Sequence, residues 1–485
     1  MTWDGNAYRK TTVFMLRQGY NPIYETFYDA VARIGIIENR SWEPWLDGYP
    51  KGSEIFATVI YAITGNIESG KCFNALLVVA AFFIAVDVFV QLFNIKLWQS
   101  AICAAALCIN PVTLAQVQTF YNDGSLGMLL FICILSLLYL TLKNGGGLCK
   151  KSHIMIFASM ALGFSNKFSA LIYFAIFTAA FYIYWVIRDF SANRWKRLTL
   201  GVLKQTVFLA VCVTASVLVF GFTPYVVNVF RFGNPFYPLI GEGAVDILTI
   251  NTPEIIRYSS RTDQFLHSLL AVSSNNSELG LKVPFTLSGV EINGSVDLRL
   301  GGWGIYFSGI FAIACLILIS FIVFSYKRNR EYCFTVLILI AAVLAPIPFV
   351  PALFWARYNV QLFILPVMAL IVLFVNFNKK PMIFLILPIC LSMLFMQNIT
   401  QYRGHIWRQL RSSTAIRYEF WTLKKLSEYY PLQVSVKAPY GSEFYGLIAN
   451  LKDAGITNYQ INNDLEEWDG TMYNTFLIRY KIIFD

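Results

Sequence analysis

Long apolar runs separated by short polar interruptions occupy most of this chain, at 73–94, 98–115, 125–142, 153–165, 168–187, 205–224, 303–326, 332–350, 359–377 and 381–397. A helix needs about 20 apolar residues to cross a hydrocarbon core of about 30 Å, so the pattern predicts about ten spans, the fourth being the shortest. Ala7 to Arg17 is amphipathic and is expected to press against the membrane surface. The apolar run Ile55 to Ile63 is too short to span; it follows Tyr49-Pro50-Lys51-Gly52-Ser53-Glu54 and reads as an interfacial helix. Gly233-Asn234-Pro235-Phe236-Tyr237-Pro238 cannot continue a helix, because proline removes a donor and restricts its neighbour, and predicts a re-entrant or surface turn. Near the end, β-like runs at Leu432–Val436, Thr457–Ile461 and Thr475–Phe484 surround a helical run at Ser442–Ala454. The expected fold is mainly α, a polytopic transmembrane helical bundle with a small α/β appendage. Three regions follow: a first loop at 1–72, a core at 73–397 that includes a long loop at 225–302, and a C-terminal segment at 398–485.

Composition agrees with a membrane protein, since 57% of the 485 residues are hydrophobic and only 14% charged. A net charge of +10 would suggest nucleic acid in a soluble chain, but here the cations sit in short loops where they set orientation. Lys143, Lys150 and Lys151 follow the third run; Arg188, Arg194, Lys196, Arg197 and Lys204 follow the fifth. Lys327, Arg328 and Arg330 follow the seventh, and Lys379 and Lys380 the ninth. Every second loop is therefore cytoplasmic. Residues 1–72, 116–124, 225–302, 351–358 and the segment from 398 lie on the opposite face. No apolar helix precedes the first loop, so a further helix ahead of Met1 is expected to carry it across. The nine cysteines lie in or beside spans or in a cytoplasmic loop and offer no disulfide framework. The three histidines form no visible triad, no Cys/His cluster has zinc spacing, and no nucleotide-binding glycine motif supports ATP-driven transport.

Four charged residues stand where the outer face meets hydrocarbon. Asp4, beside Trp3 and four residues before Tyr8, reads either as a helix N-cap or as a general base taking the proton of an acceptor hydroxyl. Asp123, in Tyr121-Asn122-Asp123-Gly124, opens a span and reads as a cap or as a second acidic site residue. Two such carboxylates could also hold a divalent cation through oxygen ligands. Lys167, in Ser165-Asn166-Lys167-Phe168, and Arg357, in Trp355-Ala356-Arg357-Tyr358, are cations at the level of a lipid phosphate. Each can snorkel to headgroups; together they suit a departing polyprenyl phosphate. Asp87 falls inside a span with no evident cationic partner and reads as a helix-bridging group or part of an ion path.

In order and placement these pieces resemble the GT-C superfamily of membrane glycosyltransferases, of the mannosyltransferase and aminoarabinose-transferase type, which use polyprenyl-phosphate-linked donors. The resemblance rests on Trp3 to Tyr8, Tyr49 to Glu54, Tyr121 to Gly124, Asn166-Lys167, Gly233 to Pro238 and Ala356 to Tyr358, and covers roughly residues 3–397. It implies Asp4 as catalytic base, Asp123 as second acidic residue, and Lys167 and Arg357 as donor-phosphate ligands. Trp3, Tyr8, Tyr49, Lys51 and Glu54 from the first loop, with Tyr121, Asn122, Asn166 and Tyr358, would contact substrate. Arg9 stands where members often carry histidine. The implied activity is hexosyl or pentosyl transfer, with inversion, to a glycan, lipid or envelope-polymer acceptor, in a multi-pass protein of a bacterial inner (plasma) membrane with the site facing outward. The alternatives are a transporter or flippase, for which Asp87 is the best support, and a polymerase or ligase of lipid-linked glycans.

Overall fold

A computed structural model describes residues 5–34, 43–144, 147, 149–191, 195–246, 249, 251–273, 280–287, 297–376, 383–436, 443–461, 472–474 and 478–482. Among these, five helical stretches are long and apolar enough to cross a membrane: Ile67–Phe93, Asp123–Lys143, Ser169–Phe190, Leu200–Phe220 and Phe307–Ser325. The protein is an integral membrane protein, mainly α, as the apolar pattern predicts. Shorter apolar helices, among them Leu97–Cys108 and Val360–Asn376, fill the bundle between these spans. Asp123–Asn144 is its axis, with Phe131, Cys133, Ile134 and Leu135 fully buried against Phe164, Phe174, Phe177 and Phe181 of the next two helices.

Two predicted spans are corrected by their prolines. The run at 98–115 is broken after Leu97–Cys108, and Pro111 opens a separate short helix, Pro111–Gln116. Proline fits the first turn, where its missing donor is not needed, and Asn110 caps that turn by accepting from Thr113 N at 3.0 Å. The run at 332–350 ends at Leu344, two residues before Pro346.

The last predicted span is the start of one helix of 45 residues, Ile383–Ser427. At 1.5 Å per residue it is about 68 Å long, roughly twice the hydrocarbon thickness, so it continues well beyond the apolar part at Ile386–Asn398. Beyond it lies the predicted α/β unit: strands β1 (Leu432–Val436), β2 (Tyr459–Ile461), β3 (Met472–Asn474) and β4 (Ile478–Ile482) in the order β2-β1-β4-β3. The β1 and β2 strands are parallel, Leu432 opposite Tyr459, which requires a crossover, and Glu443–Asp453 supplies it as a helix. Antiparallel β4 pairs Ile482 with Leu432 and Tyr480 with Val434.

That crossover helix also holds the first loop. Tyr445, Ile448 and Ala449 share a core with Ala7, Val13, Phe14, Tyr20, Phe27, Ala57 and Tyr61. Asp453 accepts from Tyr61 OH and from Ile67 N, both at 2.8 Å. The expectation that Ala7–Arg17 presses on the membrane surface is therefore corrected: Lys10 through Met15 are enclosed by protein, between Gly52–Thr64 and Glu443–Asp453. Gly52–Thr64 itself buries Glu54, Ala57 and Tyr61 and turns Ile55, Val59 and Ile63 outward. An apolar stripe at four-residue spacing is the face an interfacial helix offers to lipid. The Gly233–Pro238 segment is a turn after Val227–Phe232, with Gly233 at φ +68° as its left-handed cap.

Candidate active site

Asp123 is the first residue of its helix, where the positive helix end favours a carboxylate. The turn before it is fixed by Gln116, whose side chain accepts from Gly124 N at 2.8 Å, and by Ser125 Oγ, which donates to Asn122 O at 2.9 Å. Gly124 lets the helix start sit close to Thr113, whose Cα would lie 3.3 Å from an added Cβ. Asn74, an amide near the start of the helix Cys72–Phe93, anchors the same loop through the carbonyls of Thr119 (2.9 Å) and Tyr121 (2.8 Å).

Three loops, widely separated in sequence, meet at the Asp123 carboxylate. Lys167, in extended backbone between Lys150–Asn166 and Ser169–Ser191, pairs through Nζ with Asp123 Oδ1. Arg357, on the turn Ala356–Tyr358, places Nη1 3.6 Å from Asp123 Oδ2 and Nε 3.2 Å from Asp297 Oδ1. Arg357 lies among the rings of Tyr121, Trp355 and Tyr358, at 5.0 to 5.1 Å, and the Lys167 ammonium is 3.9 Å from the Tyr358 ring centre. Backbone bonds from Ala356 N to Arg299 O (2.9 Å) and Arg357 N to Leu298 O (3.1 Å) hold that turn against the segment carrying Asp297. Burial draws the Lys167 ammonium below its ordinary range, and Asp123 opposes the shift. Asp123, Lys167, Tyr173, Arg357, Tyr358 and Gln361 line a small cavity here.

The other expected contacts divide into two groups. Asn122 and Asn166 brace the loops: Asn122 Nδ2 donates to Asn166 O at 2.6 Å, and Asn166 Nδ2 to Ser125 Oγ at 3.2 Å. Tyr8, Tyr49, Lys51 and Glu54 stand together in the first loop. Tyr49 packs edge-on against Tyr8 (5.7 Å) and Phe168 (5.6 Å), which joins this group to the Lys167 loop. Lys51 Nζ donates to Tyr49 O at 2.8 Å, and burial lowers its pKa to about 8 against the attraction of Glu54 and Asp47. Glu54 accepts from Arg9 at 2.5 Å, so the arginine in the first motif has a buried acidic partner. Arg9, Glu54, Lys71, Asn74 and Tyr121 line a second cavity, connected to the first group through the Tyr121 ring under Arg357. Trp3 and Asp4 lie outside the described residues.

Asp297, Asn74 and Gln361 have roles the sequence did not single out. Asp297 sits in a polar loop where an acid is unremarked, and its only signal is Arg299 two residues on, which it holds at 2.9 Å. Asp87 has the cationic partner that was not evident from sequence: it bridges to Lys151 on the helix Lys150–Asn166, as its helix-bridging reading expects, and accepts from Gln91 at 2.5 Å. Thirteen residues along the helix, it lies about 20 Å from Asn74. Among the described residues no group of three His, Cys, Asp or Glu side chains could hold a metal ion. Both oxygens of Asp123 face cations, so a divalent ion there would have to displace them.

No family model matches the chain, and no curated protein matches it. Two crystal structures of ArnT from Cupriavidus metallidurans share its fold. The apo form has a TM-score of 0.50 and 13% identity over 94% of this chain and 80% of that one. The form bound to undecaprenyl phosphate has a TM-score of 0.50 and 12% identity over 95% and 82%. At such identity the likeness is one of fold, and the chemistry must be argued from the side chains.

Proposed function

We propose that the protein is a membrane glycosyltransferase that moves a sugar from a polyprenyl-phosphate carrier to a glycan, lipid or envelope-polymer acceptor on the non-cytoplasmic face. The carrying observation is the meeting of Lys167 and Arg357 at one cavity, held by Asp123 and Asp297. An arginine fork and a lysine point charge are complementary to a phosphate monoanion or diester, and in a site shielded from water they favour negative charge developing on a leaving phosphate. The fold of ArnT, one of whose structures holds undecaprenyl phosphate, supports a lipid phosphate as the ligand.

In this reading Asp4 accepts the proton of the acceptor hydroxyl as that oxygen bonds to the anomeric carbon. The bond from that carbon to the phosphate oxygen breaks from the opposite face, its electron pair leaves with the polyprenyl phosphate, and the configuration inverts. Asp123 then acts as a positioning residue for the two cations. The first-loop group around Tyr8, Tyr49 and Glu54 would face the acceptor, with aromatic rings suited to sugar faces. The Asp87–Lys151 pair removes the observation that favoured ion-coupled transport. Reconstituted protein given a polyprenyl-phosphate sugar and membrane acceptors should lose transfer in Lys167→Ala, Arg357→Ala and Asp4→Asn. Wild-type turnover in Asp4→Asn would remove the base, and undiminished transfer in the Lys167→Ala/Arg357→Ala double variant would overturn the donor site.

A further inference from the structure

Gln361 is fully buried on the turn Val360–Phe363, and it lines the cavity with Asp123, Lys167 and Arg357. Its amide orientation is fixed by a chain of bonds that starts at the backbone. The Leu353 carbonyl can only accept, so the Asn359 amide nitrogen must face it, at 2.6 Å. Asn359 Oδ1 is then an acceptor, and Gln361 Nε2 donates to it at 2.6 Å. Reversing either amide would set oxygen against oxygen or nitrogen against nitrogen. Gln361 Oε1 is thereby the atom left over, buried and without a hydrogen-bond partner among the described residues.

A carbonyl oxygen is a poor neighbour for an ionised phosphate, which offers acceptors and no donor. Its complement is an O–H or N–H on the group attached to that phosphate. A buried acceptor left unmatched is disfavoured, whereas a ligand that supplies its donor is selected over one that does not. We infer that Gln361 Oε1 accepts a hydrogen bond from a hydroxyl or amine of the sugar on the donor lipid, which makes Gln361 a specificity-determining residue. The inference rests on the proposed polyprenyl-phosphate donor.

Purified full-length protein in detergent is titrated with undecaprenyl phosphate and with its glucosyl, mannosyl and arabinosyl esters. At least one ester should bind wild type more tightly than the bare lipid. Gln361→Met, close in volume and lacking the acceptor as well as the donor to Asn359, should bind the bare lipid within about twofold of wild type and lose about tenfold for that ester. Unchanged bare-lipid binding also reports an intact fold. Three results would overturn the inference: an ester advantage retained in Gln361→Met, a proportional loss for the bare lipid, or no ester exceeding the bare lipid in wild type. Failure of the donor reading is a separate result, namely undecaprenyl phosphate that binds the Lys167→Ala/Arg357→Ala variant as well as wild type.

Discussion

Asp123→Asn tests whether the two cations are held by one carboxylate. The substitution keeps the volume and removes a charge whose side chain is only 3% exposed. At an effective dielectric of about 20, unit charges 4 Å apart attract by about 4 kcal/mol; the Arg357 contact, at 3.6 Å, is in that range. Arg357 keeps Asp297 and its three rings, whereas Lys167 keeps the Tyr358 face. Breaking a buried pair from one side costs about 3–5 kcal/mol, so a destabilisation near the lower end is expected, seen as a lower Tm in detergent. A phosphate can replace the missing negative charge. Undecaprenyl phosphate should therefore raise the Tm of Asp123→Asn by more than it raises that of wild type, because ligand stabilisation grows with affinity for the folded state. A melting temperature equal to wild type, or a smaller lipid-induced rise in the variant, would refute the view of Asp123 as the counter-charge of a phosphate site.

Asp453→Ala removes the acceptor of Tyr61 OH and Ile67 N and should cost about 1–3 kcal/mol; limited proteolysis should then cut the first loop faster than in wild type. Lys51 gives a pH dependence: with its folded pKa lowered to about 8, the unfolded chain binds more protons between pH 8 and 10.5. Stability contributed by this group therefore rises with pH across that window and is lost as pH falls toward 8, and Lys51→Met should flatten the slope seen in pH-resolved melting curves. Asp87→Asn breaks a pair that is half exposed at Lys151, so glycosyl transfer should match wild type and Tm should barely move; abolished transfer would tie that end of the helix to the chemistry.

The spans and the C-terminal unit were legible because their signals are local. Apolar runs of the right length and the alternation at Leu432–Val436 can be read without knowing what packs against them, whereas Pro111 splits the run at 98–115 that hydropathy alone joins into one span. The polar half of Ile383–Ser427 was hidden for the opposite reason: past Asn398 it carries Arg403, Arg411, Arg417 and Lys424 with no sustained apolar face, so nothing marks it as a continuation of a span. The enclosure of Lys10–Met15 was hidden too, since its covering helix lies more than 400 residues away.

At the site, Lys167 and Arg357 stood out as cations where hydrocarbon ends, but their convergence depends on how three loops pack. That convergence alters the division of labour inferred from residue type. Two acids and two cations suggest a pair for the acceptor and a pair for the phosphate, yet Asp123 is engaged by both cations and so belongs with them. A buried ammonium and guanidinium without a counter-charge would be driven toward neutrality or disorder when no lipid is bound. A carboxylate between them keeps both charged and oriented, as the counter-charge that a bound phosphate would replace. Gln361 follows the same logic in the neutral case, because its meaning comes from the Leu353 carbonyl and Asn359, which decide that the oxygen and not the nitrogen is left without a partner.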